Sequence, residues 1–288
     1  MRLSRVAALF FVAAFGASAS AQTKKVLLVT HSLGFIHDSV GVAEEVMKEI
    51  GPKHGMEVTC FRFTGDPSPK VKYKPAKDKP EVETTVLEKY SAEFRARTGE
   101  EVKPEHCGKL DAETLKKFDL VFFFTTGNPC NKEELKDLLA WVKAGGAFAG
   151  THCATDTLYN TAYGELIGGY FDGHPWHQKI KLKLEDPNHP AAAGFENGAE
   201  ITDEIYQFKA PYDRSKLHVI LSVDNSSIDV AKKGVNRADK DFAVAWSHAY
   251  GKGKVFYTSL GHRREVWKDE RFQKHLLGGL KWTLDGTK

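Results

Sequence analysis

The chain has little of what marks a nucleic-acid binder, a disulfide scaffold or a membrane span. Its 41 Lys and Arg nearly balance 38 Asp and Glu, for a formal net charge of +3 over 288 residues. That balance gives no reason to expect nucleic acid as a partner. There are only four cysteines, Cys60, Cys107, Cys130 and Cys153. None stands in CxxC spacing, so neither a local redox pair nor a zinc knuckle is suggested. Four thiols allow three full pairings, and spacing does not choose between them. No HExxH-type local metal motif occurs, and no nucleotide cofactor is expected. The apolar run from Val6 to Phe15 is too short to cross a bilayer, which takes about 20 residues.

That run belongs to another pattern. Arg2 and Arg5 form a basic start, the apolar stretch follows, and Ala19-Ser20-Ala21 gives a small-residue cleavage site. Together they predict a secretory signal peptide over 1–21, with cleavage before Gln22. The mature chain, 22–288, is expected in the periplasm or secreted, without membrane insertion. Loss of the two arginines takes the formal net charge from +3 to +1. This length suits one α/β domain with a sizeable core.

Residues 25–30 are apolar without alternation, as in a parallel strand buried on both faces. A helix capped by Asp38 or Ser39 follows to about 50, then a strand over 56–61. Residues 64–110 are turn-rich and charged, with a short helix at 81–97. They read as a surface insertion, a lid or wall beside a site. The α/β rhythm resumes with a helix near 112–117, a strand at 119–125, an Asn131-capped helix over 132–144 ended by Gly145-Gly146, and a strand at 147–150. Further strands are expected at 217–223 and 254–258, and a last helix at 272–283. The class is α/β: a three-layer, doubly wound, mostly parallel sheet. Sites in such sheets lie beyond the C-terminal strand ends, which selects loops 31–38, 125–130, 150–157 and 259–266.

Those loops and the stretch 170–177 carry six of the twelve histidines: His31, His37, His152, His174, His177 and His262. His248, before the hairpin-like turn 250–253, reads as structural. The candidate catalytic residues are His152, His37, Asp156 and His262. The candidate ligands for one divalent metal ion (zinc, iron, nickel or manganese) are His37, His152, His174 and His262, since imidazole suits these metals. Metal-free acid–base chemistry is the other use of the same rings. Asp38, Trp176, Tyr159 and Arg263 are candidate substrate contacts.

The ordered series Phe35-Ile36-His37-Asp38-Ser39, Gly145 to Asp156, Tyr163 to Phe171 with His174-Pro175, Asn188-His189-Pro190, Asp203-Glu204-Ile205-Tyr206 and Ala245 to His262 resembles the ThuA-like (trehalose-utilisation) family. The resemblance implies a fold like the class I glutamine amidotransferases and flavodoxins. Those relatives place a nucleophilic cysteine two residues after an elbow glycine. Counted from Gly150, that position is His152, and Cys153 is one residue late, so neither a glutaminase nor a thiol protease is expected. The resemblance also implies a small carbohydrate substrate, such as a 3-keto-glycoside, processed by isomerisation, elimination or hydrolysis. A keto group at C3 acidifies the C2 proton, and an imidazole or carboxylate can take it. A non-catalytic carbohydrate-binding module is the competing class. The oligomeric state is left open.

Overall fold

The computed structural model describes residues 22–286; the expected signal peptide lies outside the described residues. Nine strands form one sheet: β1 (Lys24–Val29), β2 (Met56–Phe61), β3 (Leu120–Phe123), β4 (Ala147–Thr151), β5 (Trp176–Leu184), β6 (Glu200–Ile205), β7 (His218–Val223), β8 (Ala243–Tyr250) and β9 (Gly253–Thr258). Their order across the sheet is β6-β5-β7-β8-β9-β4-β3-β1-β2. From β9 to β2 all pairings are parallel. The remaining strands pair antiparallel.

The two regions differ for a visible reason. β3 and β4 are buried at every position, so their apolar runs serve both faces of the sheet. Val26, Leu28, Phe122 and Ala149 pack into one core cluster, and Leu27, Val29, Val121 and Phe148 into the other. This period of two makes the layer above and the layer below. β5 alternates buried and exposed residues along much of its length, as an antiparallel strand with one wet face does. The β8–β9 connection is the expected hairpin, and His248 is structural: its ring nitrogens lie 3.1 and 2.9 Å from the carbonyls of Ala249 and Leu166, and its one N–H donates to one of them.

The helices are α1 (Val40–Lys53), α2 (Val86–Thr98), α3 (Ala112–Leu115), α4 (Lys132–Lys143), α5 (Tyr163–Ile167), α6 (Arg264–Lys268) and α7 (Glu270–Leu284). Asn131 caps α4 in a capping box with Glu134, as expected. Ser39 precedes α1 but does not cap it with its side chain. Its hydroxyl instead donates to the Gly261 carbonyl at 3.2 Å, tying two site loops together.

The insertion departs from its expected shape. Residues Lys70–Tyr73 and Val82–Thr85 form a hairpin, and α2 starts only after it, capped by Thr85 with Glu88. Tyr90 and Phe94 are buried against the main core, so one side of this segment is part of it. Arg97 of α2 donates to the Ile36 carbonyl at 2.9 Å, and its guanidinium sits 4.5 Å from the centre of the Phe35 ring. The Ser32 amide donates to the Tyr90 hydroxyl at 3.2 Å. The insertion therefore braces loop 31–38.

Two buried histidines set an acid limit on the fold. Burial pulls His31 and His275 each down to about 4, against 6.5 for a free ring. Between those values the unfolded chain binds more protons than the native one, so stability rises with pH across that window. Acidification from pH 7 to 4 is expected to destabilise the protein by on the order of 3 kcal/mol per ring. Thermal melts at stepped pH measure this; a flat melting temperature between pH 6.5 and 4 would contradict it.

Candidate metal centre

The site begins at the end of β4. A Cβ on Gly150 would come within 2.7 Å of Ile167 Cδ1 and 2.8 Å of Ala154 Cβ, so the strand exit has room only for glycine. His152 follows in the left-handed region, φ 45°, at the start of a short 3-10 turn, with no exposed surface. Its Nδ1 lies 2.9 Å from the Ser259 carbonyl oxygen. A carbonyl only accepts, so Nδ1 carries the proton and Nε2 presents its lone pair to the pocket. That Nε2 accepts from the Tyr206 hydroxyl at 2.8 Å. It lies 3.2 Å from His262 Nδ1 and 3.5 Å from Glu204 Oε2.

The second wall is β6, where Asp203, Glu204 and Ile205 are all buried. Asp203 accepts from the backbone amides of Gly261 at 2.7 Å and Arg263 at 3.1 Å. It grips the loop on both sides of His262. Trp267 donates to the Gly261 carbonyl and Thr151 to the Leu260 carbonyl, completing the clamp. Glu204 then faces three rings: Oε2 lies 3.3 Å from His262 Nδ1, and Oε1 lies 3.2 Å from His174 Nδ1. His37 arrives from the β1–α1 loop, buried, its ring centre 4.8 Å from that of His152 and 5.2 Å from that of His262.

One donor atom from each of His37, His152, Glu204 and His262 lies within 4.8 Å of the other three. The separations of 3.2, 3.3 and 3.5 Å among His152, His262 and Glu204 carry the argument. A tetrahedral ion with bonds of about 2.1 Å has ligand–ligand edges of roughly 3.4 Å. His37 Nδ1 is buried without a hydrogen-bond partner, an atom that protein contacts alone leave unsatisfied. The cluster is thus a site for one divalent ion with nitrogen and oxygen donors, which suits zinc, iron, nickel or manganese.

Electrostatics agree with that chemistry at His37 and Glu204, while an ion would have to displace the proton that Glu204 favours on His262. Burial, then the neighbouring His152 and His262, pull His37 down to about 2, so its ring is neutral and able to ligate. Burial works against the charge on Glu204, but the neighbouring His152 and His262 rings outweigh it and hold the carboxyl well below the usual range. Burial likewise opposes charge on His262, and the Glu204 hydrogen bond and charge outweigh it, so that ring is raised. Burial raises the Asp203 carboxyl, against the pull of His152 and of the backbone amides of Gly261 and Glu204.

Three of the four expected ligands therefore meet, and Glu204 replaces the fourth. His174 is exposed and touches the cluster only through Glu204. Asp38 is exposed nearby, its charge among those that raise His262. His177 is exposed with its ring 4.9 Å from that of His262. Asp156 is part-buried outside the four donors, its carboxyl raised by burial against a bond from Tyr159. The Tyr159 ring lies 5.0 Å from the Lys209 ammonium. The Arg263 side chain turns away to Glu265, at 3.3 Å.

Trp176 is a correction. It is 0% exposed, its indole donates to the Asp229 carbonyl at 3.1 Å, and its ring meets Phe242 edge-on. It fills the core and cannot stack on a sugar. Its place among histidines in the sequence suggested a site role; the inward face of β5 decides otherwise. The exposed aromatic is Phe35, 52% accessible, with its ring 4.9 Å from that of His37.

Glu204, Asp203 and Tyr206 carry the site although the sequence placed them only in a family-like stretch and not among the site candidates. Two successive acids between Ile201 and Ile205 in a strand were the available signal, because buried carboxylates need partners. All four cysteines are free thiols. Cys153 is fully buried, and burial pushes its thiol well up, so no thiolate nucleophile stands beside His152. Cys153→Ser is expected to leave metal uptake unchanged and cost on the order of 1 kcal/mol of stability. A tenfold loss of metal affinity in that variant would show that the thiol does more than pack.

Among the described residues no helix is long and apolar enough to cross a membrane. A family model described as trehalose utilisation (ThuA) matches residues 25–283. None of the curated proteins matches the chain. Two solved structures are similar. A ThuA-like protein from Bacteroides uniformis aligns with a TM-score of 0.63 at 17% identity, covering 94% of this chain and 95% of that one. Another, from Parabacteroides merdae, aligns at 0.60 and 16% identity, covering 92% of this chain and 91% of that one. At such identities the likeness is one of fold.

Proposed function

The chain belongs to the ThuA (trehalose utilisation) family, and from that premise we propose that it is an exported, metal-dependent enzyme acting on a keto-sugar glycoside through loss of the proton beside the keto group. The observation that carries the proposal is the near-tetrahedral spacing of His152, His262 and Glu204, closed by the unpartnered His37.

A cation held there would polarise the substrate carbonyl and make the adjacent C–H acidic. The protein supplies the base. His174 Nδ1 faces Glu204 Oε1, which fixes its proton on that nitrogen and leaves Nε2 as acceptor. Its side chain is 50% exposed, so Nε2 can meet a substrate proton. Phe35 offers an apolar ring for the sugar face, held in place by Arg97. Asp38 accepts from sugar hydroxyls at the entrance. Export follows from the signal-like residues 1–21; an intact mass starting at Gln22 tests it.

The decisive experiment joins metal analysis of the purified mature chain with NMR of a 3-keto-glucoside in deuterated buffer. About one equivalent of metal is expected, with deuterium entering at C2 or the aglycone released. Chelation should stop the reaction and added metal restore it. Turnover that survives chelation would refute metal dependence, and sugar binding without exchange or cleavage would favour a binding module.

A further inference from the structure

Building on the proposed metal site, we propose that Tyr206 plugs the metal-free site and, once an ion is bound, becomes the hydrogen-bond donor to a substrate oxygen. The Tyr206 hydroxyl sits 2.8 Å from His152 Nε2. That nitrogen has one lone pair, because Nδ1 carries the proton toward the Ser259 carbonyl. An ion and the hydroxyl cannot both use it, so metal binding displaces the hydroxyl from its acceptor.

The ring cannot follow the hydroxyl out. Tyr206 is 3% exposed and packs with ring centres 4.4 Å from both His152 and Phe171. The hydroxyl must find another acceptor, and the carboxylate and carbonyl oxygens around it already hold one donor each. Glu204 Oε1 faces His174, and Oε2 faces the donor cluster. The Ser259 carbonyl holds His152 Nδ1, and the His152 carbonyl takes the Tyr257 hydroxyl at 2.6 Å. An oxygen that the substrate brings beside the ion, with no donor of its own to satisfy it, is the acceptor we assign to this hydroxyl. A buried, preset donor at the point where negative charge develops stabilises that charge strongly. No proton need leave the hydroxyl for this role.

The test is Tyr206→Phe in the full mature chain, which keeps the ring and removes one oxygen. Zinc affinity, read by competition with a chromogenic chelator, is expected to tighten by about fivefold, because one hydrogen bond no longer competes. This arm uses protein and zinc alone, so it does not depend on substrate identity. On a 3-keto-glucoside kcat is expected to fall by about 10²–10³-fold with KM within about threefold. A tenfold weaker zinc affinity would overturn the inference, because the hydroxyl would then support the ion rather than exclude it. An unchanged kcat would overturn it as well. If the wild-type chain takes up no zinc or other divalent metal, the metal reading itself fails and takes this inference with it. Metal uptake by the wild type with either overturning result sinks the inference alone.

Discussion

His152→Ala is expected to empty the metal site and abolish turnover. Alanine removes Nε2, the atom closest to His262 and one corner of the donor set. It also releases the Tyr206 hydroxyl and the Ser259 carbonyl from their shared ring. Losing a residue beside a metal ligand costs about 10–100-fold in affinity, and losing a ligand should exceed that. Turnover should fall by at least the roughly 10²–10⁴-fold that deleting a positioned acid or base costs. His152 also holds φ 45°, where alanine is less at ease than histidine. His152→Asn is therefore the companion variant: asparagine accepts that backbone, so metal loss in both variants separates ligation from folding. The measurements are metal content, kcat/KM and a thermal melt. A well-folded His152→Ala protein with full metal and full rate would refute the site.

The largest expected change in stability lies elsewhere, at Arg62. Its guanidinium bonds Glu44 Oε2 at 2.7 Å and Glu100 Oε2 at 3.1 Å, and it also donates to the Glu101 carbonyl. Glu44 is 1% exposed and holds the Thr30 hydroxyl at 2.7 Å with its other oxygen. Burial opposes the charge on Arg62, but the bond and charge of Glu44 outweigh it. Arg62→Ala would leave Glu44 charged, buried and unpaired, a change that costs about 3–5 kcal/mol. For a chain of this size that lowers Tm on the order of 10 °C. The double variant Arg62→Met, Glu44→Leu should recover much of the loss, since the penalty lies in the stranded charge. A single-variant loss under about 1 kcal/mol would show that Glu44 finds water or another partner.

Much of the parallel region was legible because burial on both faces leaves unbroken apolar runs such as Leu120 to Phe123. The antiparallel strands were not equally open. β5 carries His177, Lys179, Lys181 and Lys183 on its wet face, and the charges mask the strand. The histidines of the site could be located because they follow strand ends, and chain direction alone says which loops share an edge. Their grouping could not be read to the atom. His174 and Glu204 exchange roles through a strand pairing that spacing does not encode. Trp176 was misjudged because an isolated aromatic does not announce which face of its strand is wet. The insertion showed its charge but not Tyr90 and Phe94, two apolar side chains that seat α2 on the core.

The four donors span the chain from position 37 to position 262, yet meet within 4.8 Å. Three follow parallel strands; Glu204 sits on β6, at the opposite border of the sheet from β2. The pocket therefore cannot exist until the β6 border has docked on the same sheet as β1, which makes it a late structure in folding, since distant pairings close slowly. An ion bound there becomes a cross-link that must be broken before β6 can peel away from the rest of the sheet. It would raise apparent stability with its free concentration. Loading would then be legible as slower proteolysis of the whole chain, far from any residue that touches the ion.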